Sequence, residues 1–232
     1  MEAIILAGGL GTRLRSVVAD VPKCMAVVAQ KPFLHYAITY LQKQGVKKIV
    51  FSLGYMSEVI ERYLLQEFPL LNYQISKEDE PLGTGGAIHL ACYKTTEQHA
   101  IIVNGDTLFN VNINKLNSLH QFMKADCTLA LKPMYKFDRY GVVELKKNSS
   151  IITSFKEKKY YEEGLINGGC YLLNTSSFLT QKFPEKFSFE KDYLEKHITT
   201  QKIHGQIHDE YFIDIGIPED FEKAQTELIQ FK

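Results

Sequence analysis

The sequence predicts a doubly wound α/β fold, and three observations carry that expectation. A continuous aliphatic run, Ala3–Ala7, ends in a glycine cluster; strand-like and helix-like periods alternate through the first hundred residues; and no Pro/Gly/Ser-rich linker, low-complexity tract or repeat divides the 232-residue chain. A single domain over 1–232 follows as the expectation, with a first half to about residue 110 and a second half over about 111–232.

Each element has its own reason. Ala3–Ala7 is apolar on both faces, as a central parallel strand with helices above and below must be. Pro32–Gln44 carries Phe33, Ala37, Tyr40 and Leu41 at helical spacing, Gly45 stops it, and Val46–Leu53 reads as the next strand. Met56–Phe68 reads as a helix, Tyr73–Ser76 as a short strand, Thr84–Tyr93 as a helix opened by glycines, and His99–Val103 as a buried strand. This βαβ alternation favours right-handed crossovers. Beyond Asp106 the strand-like segments Cys127–Lys132, Gly141–Lys146, Ile151–Phe155 and Gly169–Leu173 follow closely, and the only convincing helix between Asp106 and them is Asn114–Met123. The second half therefore reads as more antiparallel. Helices return at Phe189–His197 and at Pro218–Ile229, the latter with proline in its first turn beside Glu219 and Asp220.

Composition excludes several function classes. Lys plus Arg and Asp plus Glu each total 27, so the chain is formally neutral and has no overall positive field to hold a nucleic-acid backbone. Any bound anion must be held by a local site. No apolar run approaches the roughly 20 residues that span a bilayer, and no secretory signal is evident, so the expected location is cytoplasmic with no membrane partner. Cys24, Cys92, Cys127 and Cys170 are scattered without a CxxC pair, and are expected to be reduced thiols rather than zinc ligands.

The most informative segment runs from Leu6 to Lys23 through Ala7, Gly8, Gly9, Gly11, Thr12 and Arg13, with Pro22 preceding the lysine. Glycines after a first strand bring backbone N–H groups close to phosphate oxygens. The pattern is neither GxxxxGK[ST] nor GxGxxG, because Leu14 stands where the latter needs its third glycine. A guanidinium inside the loop and an ammonium ten residues later suit two sides of a polyphosphate. Taken alone, the same residues also describe a tight turn with two solvated cations.

Gly8-Gly9-Leu10-Gly11-Thr12-Arg13-Leu14, with Pro22-Lys23 downstream, resembles the signature of the sugar-1-phosphate nucleotidyltransferases, and the likeness extends through the chain in six further segments. It implies a Rossmann-like, doubly wound mixed sheet of the nucleotide-diphospho-sugar transferase type, with a nucleotide half followed by a sugar-phosphate half. Arg13 and Lys23 match the family's phosphate-contacting, catalytic positions. Glu80-Pro81-Leu82-Gly83-Thr84-Gly85-Gly86 resembles the segment whose backbone lies against the base, where Gly83, Gly85 and Gly86 would admit a planar ring. Glu78 or Glu80 would offer a carboxylate to the N1–H and N2–H₂ donors of guanine.

Asn104-Gly105-Asp106 ends an aliphatic strand, where open α/β sheets place ligand-binding groups. Asp214, in Phe212–Pro218, supplies a second aspartate before a helix, although aspartate is also common at such boundaries as a cap or turn residue. Asp106 and Asp214 match the family's metal-binding carboxylates, which implies Mg²⁺ as cofactor. Tyr140-Gly141, Glu157-Lys158 and Asn167-Gly168 resemble the segments that meet sugar hydroxyls and the sugar phosphate; the lysines around 158 also fit a solvated edge. Two departures stand out: Cys24 where proline is usual, and Ile217 where threonine is usual.

The resemblance thus implies an enzyme that joins a nucleoside triphosphate to a sugar 1-phosphate and releases pyrophosphate. Within the family, chain length and the wording of Gly8–Lys23, Glu80–Ile88 and Asn167–Tyr171 are most similar to the branch that transfers a guanylyl group from GTP to a heptose 1-phosphate. Alternatives are a mannose-1-phosphate guanylyltransferase, a uridylyl- or thymidylyltransferase, and a silent nucleotide-sensing subunit. The silent subunit is disfavoured because Arg13, Lys23, Asp106 and Asp214 are all present. No left-handed β-helix repeat follows, so no added acyltransferase activity is expected; a homodimer remains open.

Overall fold

In the computed structural model the described residues are 1–9, 14, 21–199 and 202–231. Thirteen strands and seven α-helices are found among them. In chain order they are β1 (Glu2–Leu6), β2 (Val27–Val28), β3 (Lys31–Pro32), α1 (Phe33–Lys43), β4 (Lys48–Leu53), α2 (Ser57–Glu67), β5 (Tyr73–Lys77), α3 (Gly83–Cys92), β6 (His99–Asn104), β7 (Thr107–Phe109) and α4 (Ile113–Met123). There follow β8 (Cys127–Phe137), β9 (Val143–Leu145), β10 (Ile152–Phe155), β11 (Tyr161–Asn174), α5 (Thr175–Leu179), α6 (Glu195–His197), β12 (Ile203–Ile207), β13 (Phe212–Asp214) and α7 (Pro218–Glu227).

Seven strands form one sheet in the order β12-β8-β11-β6-β1-β4-β5. β6, β1, β4 and β5 are mutually parallel, as the βαβ alternation predicts. The second half is mostly antiparallel, as its sequence suggests. β11 runs antiparallel to both β6 and β8, whereas β12, which no sequence period announces because Gly205 and His204 interrupt it, lies parallel to β8. Among the described residues, antiparallel pairing is otherwise confined to the two-stranded β10-β9, β13-β7 and β2-β3 ribbons and two isolated bridges.

Alternation along β1 divides the core. Ala3 and Ile5 point to one face, packed on Leu34 and Ile38 of α1, Ile60 and Leu64 of α2 and Leu116 of α4; Ile4 points to the other, with Ile88 and Ala91 of α3, Phe178 of α5 and the rings of Phe189 and Tyr193. A third cluster, built on Phe33, Tyr36, Ile213, Ile215 and Phe221, holds α7 against α1 and the β7–β13 ribbon. Asn112 caps α4 by accepting from Lys115 N–H at 3.0 Å. Phe189–His197 is helical but not uniformly so: Phe189–Leu194 is π-helical and leads into α6. Among the described residues no helix is long and apolar enough to cross a membrane, and all four cysteines are free and buried.

Candidate active site

The chain leaves β1 toward β4 and β5 on one side and returns through α3 to β6 on the other. Such a reversal opens a crevice at the carboxyl ends of the two central strands. A cleft of about 520 Å³ lies there. Leu6, Ala7, Gly8, Gly9 and Lys23 line it from the segment after β1; Glu78, Pro81, Gly83 and Thr84 from that after β5; Gly105 and Asp106 from that after β6. Eleven candidate residues from three separated segments thus share one cavity. Gly11, Thr12 and Arg13 lie outside the described residues. Glu80 is exposed and apart from the lining.

Asp214 reaches the cleft by strand pairing. β13 runs antiparallel to β7 with Asp214 opposite Thr107, and Ile215 N–H donates to the Asp106 carbonyl at 3.1 Å, so the two aspartates become neighbours. Lys23 Nζ lies 2.5 Å from Asp106 Oδ2 and 3.8 Å from Asp214 Oδ1. Asp214 also accepts from Gly216 N–H at 2.8 Å and from the Tyr140 hydroxyl at 3.1 Å. Burial pushes its carboxyl above the usual carboxylate range, and the Asp106 charge adds to that, against the opposing pull of Lys23, Gly216 N–H and Tyr140.

Two like charges around one ammonium describe a place built for positive charge. Among the described residues no group of three or more His, Cys, Asp or Glu side chains gathers. An ion held by this pair alone would complete its shell with phosphate oxygens and water. That donor set fits Mg²⁺, which favours one or two carboxylates plus substrate phosphates over an all-protein cage.

On the opposite wall the structure separates the two candidate base-side carboxylates. Glu78 is half-buried; Leu82 N–H donates to its Oε2 at 2.8 Å, and its Oε1 lies 2.9 Å from where a Cβ on Gly8 would sit. Glycine at position 8 therefore lets this carboxylate close on the loop. Burial raises the Glu78 carboxyl, against the Leu82 N–H. Ser52, which sequence reasoning passed over, also lines the cleft, with a buried hydroxyl that has no partner among the described residues. A lone polar residue near the end of an aliphatic strand was the available signal.

The glycines of the 83–86 segment also have a packing role. A Cβ on Gly83 would come within 2.6 Å of the Phe187 carbonyl, one on Gly86 within 2.5 Å of the Glu185 carbonyl, and one on Gly85 would overlap the Phe187 ring. Gly85 N–H donates to Phe187 O and Phe187 N–H to Leu82 O, each at 3.0 Å. The space is filled by the strap 185–187 from the second half. Thr84 lines the cleft, but its hydroxyl donates to Glu190 and accepts from Phe189 N–H.

The six sugar-side candidates divide. Tyr140 touches Asp214 of the acidic pair directly, with Gly141 beside it packed under the Lys156 carbonyl. Lys156 N–H donates to Val142 O at 2.7 Å, which brings Glu157 beside Gly141; Glu157 and Lys158 are both exposed and neither lines the cleft. Asn167 and Gly168 sit where β11 bulges against β8. The Asn167 amide is oriented by Gly169 N–H, which donates to Oδ1 at 3.0 Å, while Nδ2 donates to the Tyr171 hydroxyl at 2.9 Å. One lone pair on Oδ1 and one N–H remain. Arg139, absent from the sequence reading, bonds to both Tyr140 and Asp220.

Neither departure opens the site. Cys24 lies in a closed turn, with Met25 N–H on Pro22 O at 2.7 Å, and burial together with Asp106 pushes its thiol up to about 12. Ile217 stands at the N-cap of α7, which consequently lacks a side-chain cap.

The comparisons agree with this geometry. Residues 2–230 match the model of the family described as nucleotidyl transferase. A D-glycero-alpha-D-manno-heptose 1-phosphate guanylyltransferase of Aneurinibacillus thermoaerophilus is 54% identical over 228 residues, 98% of each chain. A second protein of that name, from Campylobacter jejuni, is 45% identical over 95% of this chain and 97% of its own. The crystal structure of HddC from Yersinia pseudotuberculosis complexed with GMP-PN has a TM-score of 0.88 at 37% identity, covering 100% of this chain and 99% of that one. The strand order, the cleft at its switch point and these likenesses converge on one conclusion: the chain belongs to the nucleotidyl transferase family.

Proposed function

We propose that the protein joins GTP to D-glycero-α-D-manno-heptose 1-phosphate, giving GDP-heptose and pyrophosphate. The observation that carries this reading is the 54% identity over 98% of both chains to a guanylyltransferase of that specificity. A carboxylate in the base wall agrees with it. Guanine presents N1–H and N2–H₂ side by side, a donor pair that Glu78 Oε1 can accept; uracil and thymine present an N–H flanked by two carbonyls, which a carboxylate repels.

In the reaction a sugar-phosphate oxygen forms a bond to the α-phosphorus as the bond to the β-phosphate bridging oxygen breaks, with pyrophosphate leaving. The nucleophile is already an anion, so no side chain need act as general base. The work left to the chain is alignment of two polyanions and neutralisation of developing charge. Lys23, with Arg13, would face the triphosphate, Lys158 the incoming phosphate, and Glu157, Asn167 and the Gly141 and Gly168 backbone the sugar hydroxyls. Asp106 and Asp214 would hold Mg²⁺, whose chemistry is to draw negative charge from phosphate oxygens.

Pyrophosphate release from GTP, UTP, CTP, ATP and dTTP, each with heptose, mannose and glucose 1-phosphates and Mg²⁺, tests the reading. GTP with the heptose phosphate is expected to turn over fastest. Preference for UTP or dTTP rejects the guanylyl assignment, preference for mannose 1-phosphate rejects the sugar, and silence across the panel favours a regulatory subunit.

A further inference from the structure

Arg139 sits in the turn between β8 and β9, outside the cleft lining, yet it stands at the head of an unbroken chain of contacts into the site. Its Nη2 donates to Asp220 in the first turn of α7 and, at 3.2 Å, to the Tyr140 hydroxyl. That hydroxyl donates to Asp214 Oδ2 at 3.1 Å, and Asp214 Oδ1 lies 3.8 Å from Lys23 Nζ, which is itself 2.5 Å from Asp106. Segments distant in sequence are joined: the turn before β9 and the stretch from the end of β13 to the start of α7, with Lys23 and Asp106 beyond.

The hydrogen-bond inventory gives the chain a direction. A phenol has one proton and two lone pairs, and guanidinium nitrogens only donate. With Arg139 facing the Tyr140 oxygen, the single phenolic proton is turned away from it and onto Asp214. Asp220 keeps the guanidinium in place. The guanidinium carbon also lies 5.3 Å from the centre of the Tyr140 ring, whose edge meets Phe212 at 6.1 Å between centroids. The tyrosine is thus fixed at ring and hydroxyl, and one oxygen of Asp214 is fixed with it.

We infer that Arg139 is a positioning residue for Asp214, acting through the Tyr140 hydroxyl to hold that carboxylate in the orientation in which it takes a divalent cation. This rests on the reading of Asp106 and Asp214 as the cation-holding pair. It also ties cation binding to the turn that carries Tyr140 and Gly141, the candidate sugar-side residues.

The test is titration of Mn²⁺ into the full chain, followed by the electron paramagnetic resonance of the free ion. It is run on the protein alone and with a non-hydrolysable GTP analogue, with thermal melts alongside. Arg139→Gln and Tyr140→Phe are each expected to weaken Mn²⁺ binding about tenfold, the lower end of the effect of removing a ligand's hydrogen-bond partner. The double variant is expected to be no weaker than either single, since both break the same chain. Asp220→Asn and Arg139→Lys, which leave a polar group in place, should shift affinity in the same direction and serve if Arg139→Gln does not fold.

Mn²⁺ affinity within twofold of the parent in Arg139→Gln overturns the inference. So does a double variant showing the product of the single losses, or a parent that takes up no Mn²⁺. A parent that binds Mn²⁺ but not the GTP analogue counts against the guanylyl reading, while the comparison of variants with Mn²⁺ alone still decides the role of Arg139.

Discussion

Thr84 Oγ1 donates to Glu190 Oε2 at 2.7 Å and accepts from Phe189 N–H at 2.9 Å, so a residue of the cleft lining is held by one 106 positions later. The first turn of α3 is therefore set from the second half of the chain. Glu190→Ala removes the acceptor. It is expected to cost about 1 kcal/mol of stability, less than a sheltered charged bond because the pair is exposed, and to raise the KM for GTP several-fold with little effect on that for the sugar phosphate. Steady-state kinetics in both substrates check this, and an unchanged KM for GTP would show that the latch does not reach the nucleotide.

Gly86→Ala sets two effects against each other. Helix propensity favours alanine by about 1 kcal/mol inside α3. The added Cβ would lie 2.5 Å from the Glu185 carbonyl and 2.7 Å from Leu82 Cβ, and the first of these is backbone that cannot swing away. Overpacking of this kind costs about 1–3 kcal/mol, so the variant should be the less stable protein in urea unfolding. A gain in stability would mean that the 185–187 strap yields easily.

His120 gives the fold an acid limit. It is buried, its ring nitrogens meeting Thr128 Oγ1 at 2.9 Å and His99 Nδ1 at 3.1 Å. Burial, with smaller contributions from His99 and His204, pushes it down to about 3. The unfolded chain takes up a proton near pH 6.5, while the folded chain refuses it until about pH 3. The stability from this group is therefore complete above about pH 6.5 and is lost progressively as pH falls toward 3. His120→Gln should be less stable at neutral pH but show a flatter acid slope. Denaturation midpoints between pH 8 and 4 measure it, and an unchanged slope would assign the acid sensitivity to other groups.

Asp106→Asn keeps the shape of the site and removes one of its two facing negative charges. Turnover should fall at least about a hundredfold, the scale for losing one preorganised electrostatic contact, with the melting temperature preserved. Chelation by EDTA should silence the parent, and Mg²⁺ should restore it. Near-normal turnover in the variant would remove Asp106 from the role given to it.

Much of the fold was legible in the sequence. β1, α1, β4, α2, β5, α3 and β6 lie within a residue or two of their expected positions, because strongly periodic apolar segments report their own secondary structure. The strands of the β9–β10 ribbon were legible too, but three-residue β7 and β13 are too brief to show a period, and β12 carries Gly205 at its centre.

The sequence by itself determined one wall of the cleft, since residues at the carboxyl ends of successive parallel strands must converge at the switch point. Gly8, Gly105 and Asp106 do so. Only the tertiary structure decided which acids act together and why some residues are what they are. Asp214 joins Asp106 through the β7–β13 pairing, Glu78 rather than Glu80 enters the cleft, Gly83 and Gly86 make room for a backbone strap, and Arg139 reaches Asp214 through Tyr140. The physical reason is range. Periodicity and turn chemistry act between near neighbours in the chain, whereas register, close approach and hydrogen-bond direction are set between segments that meet only when the sheet has formed.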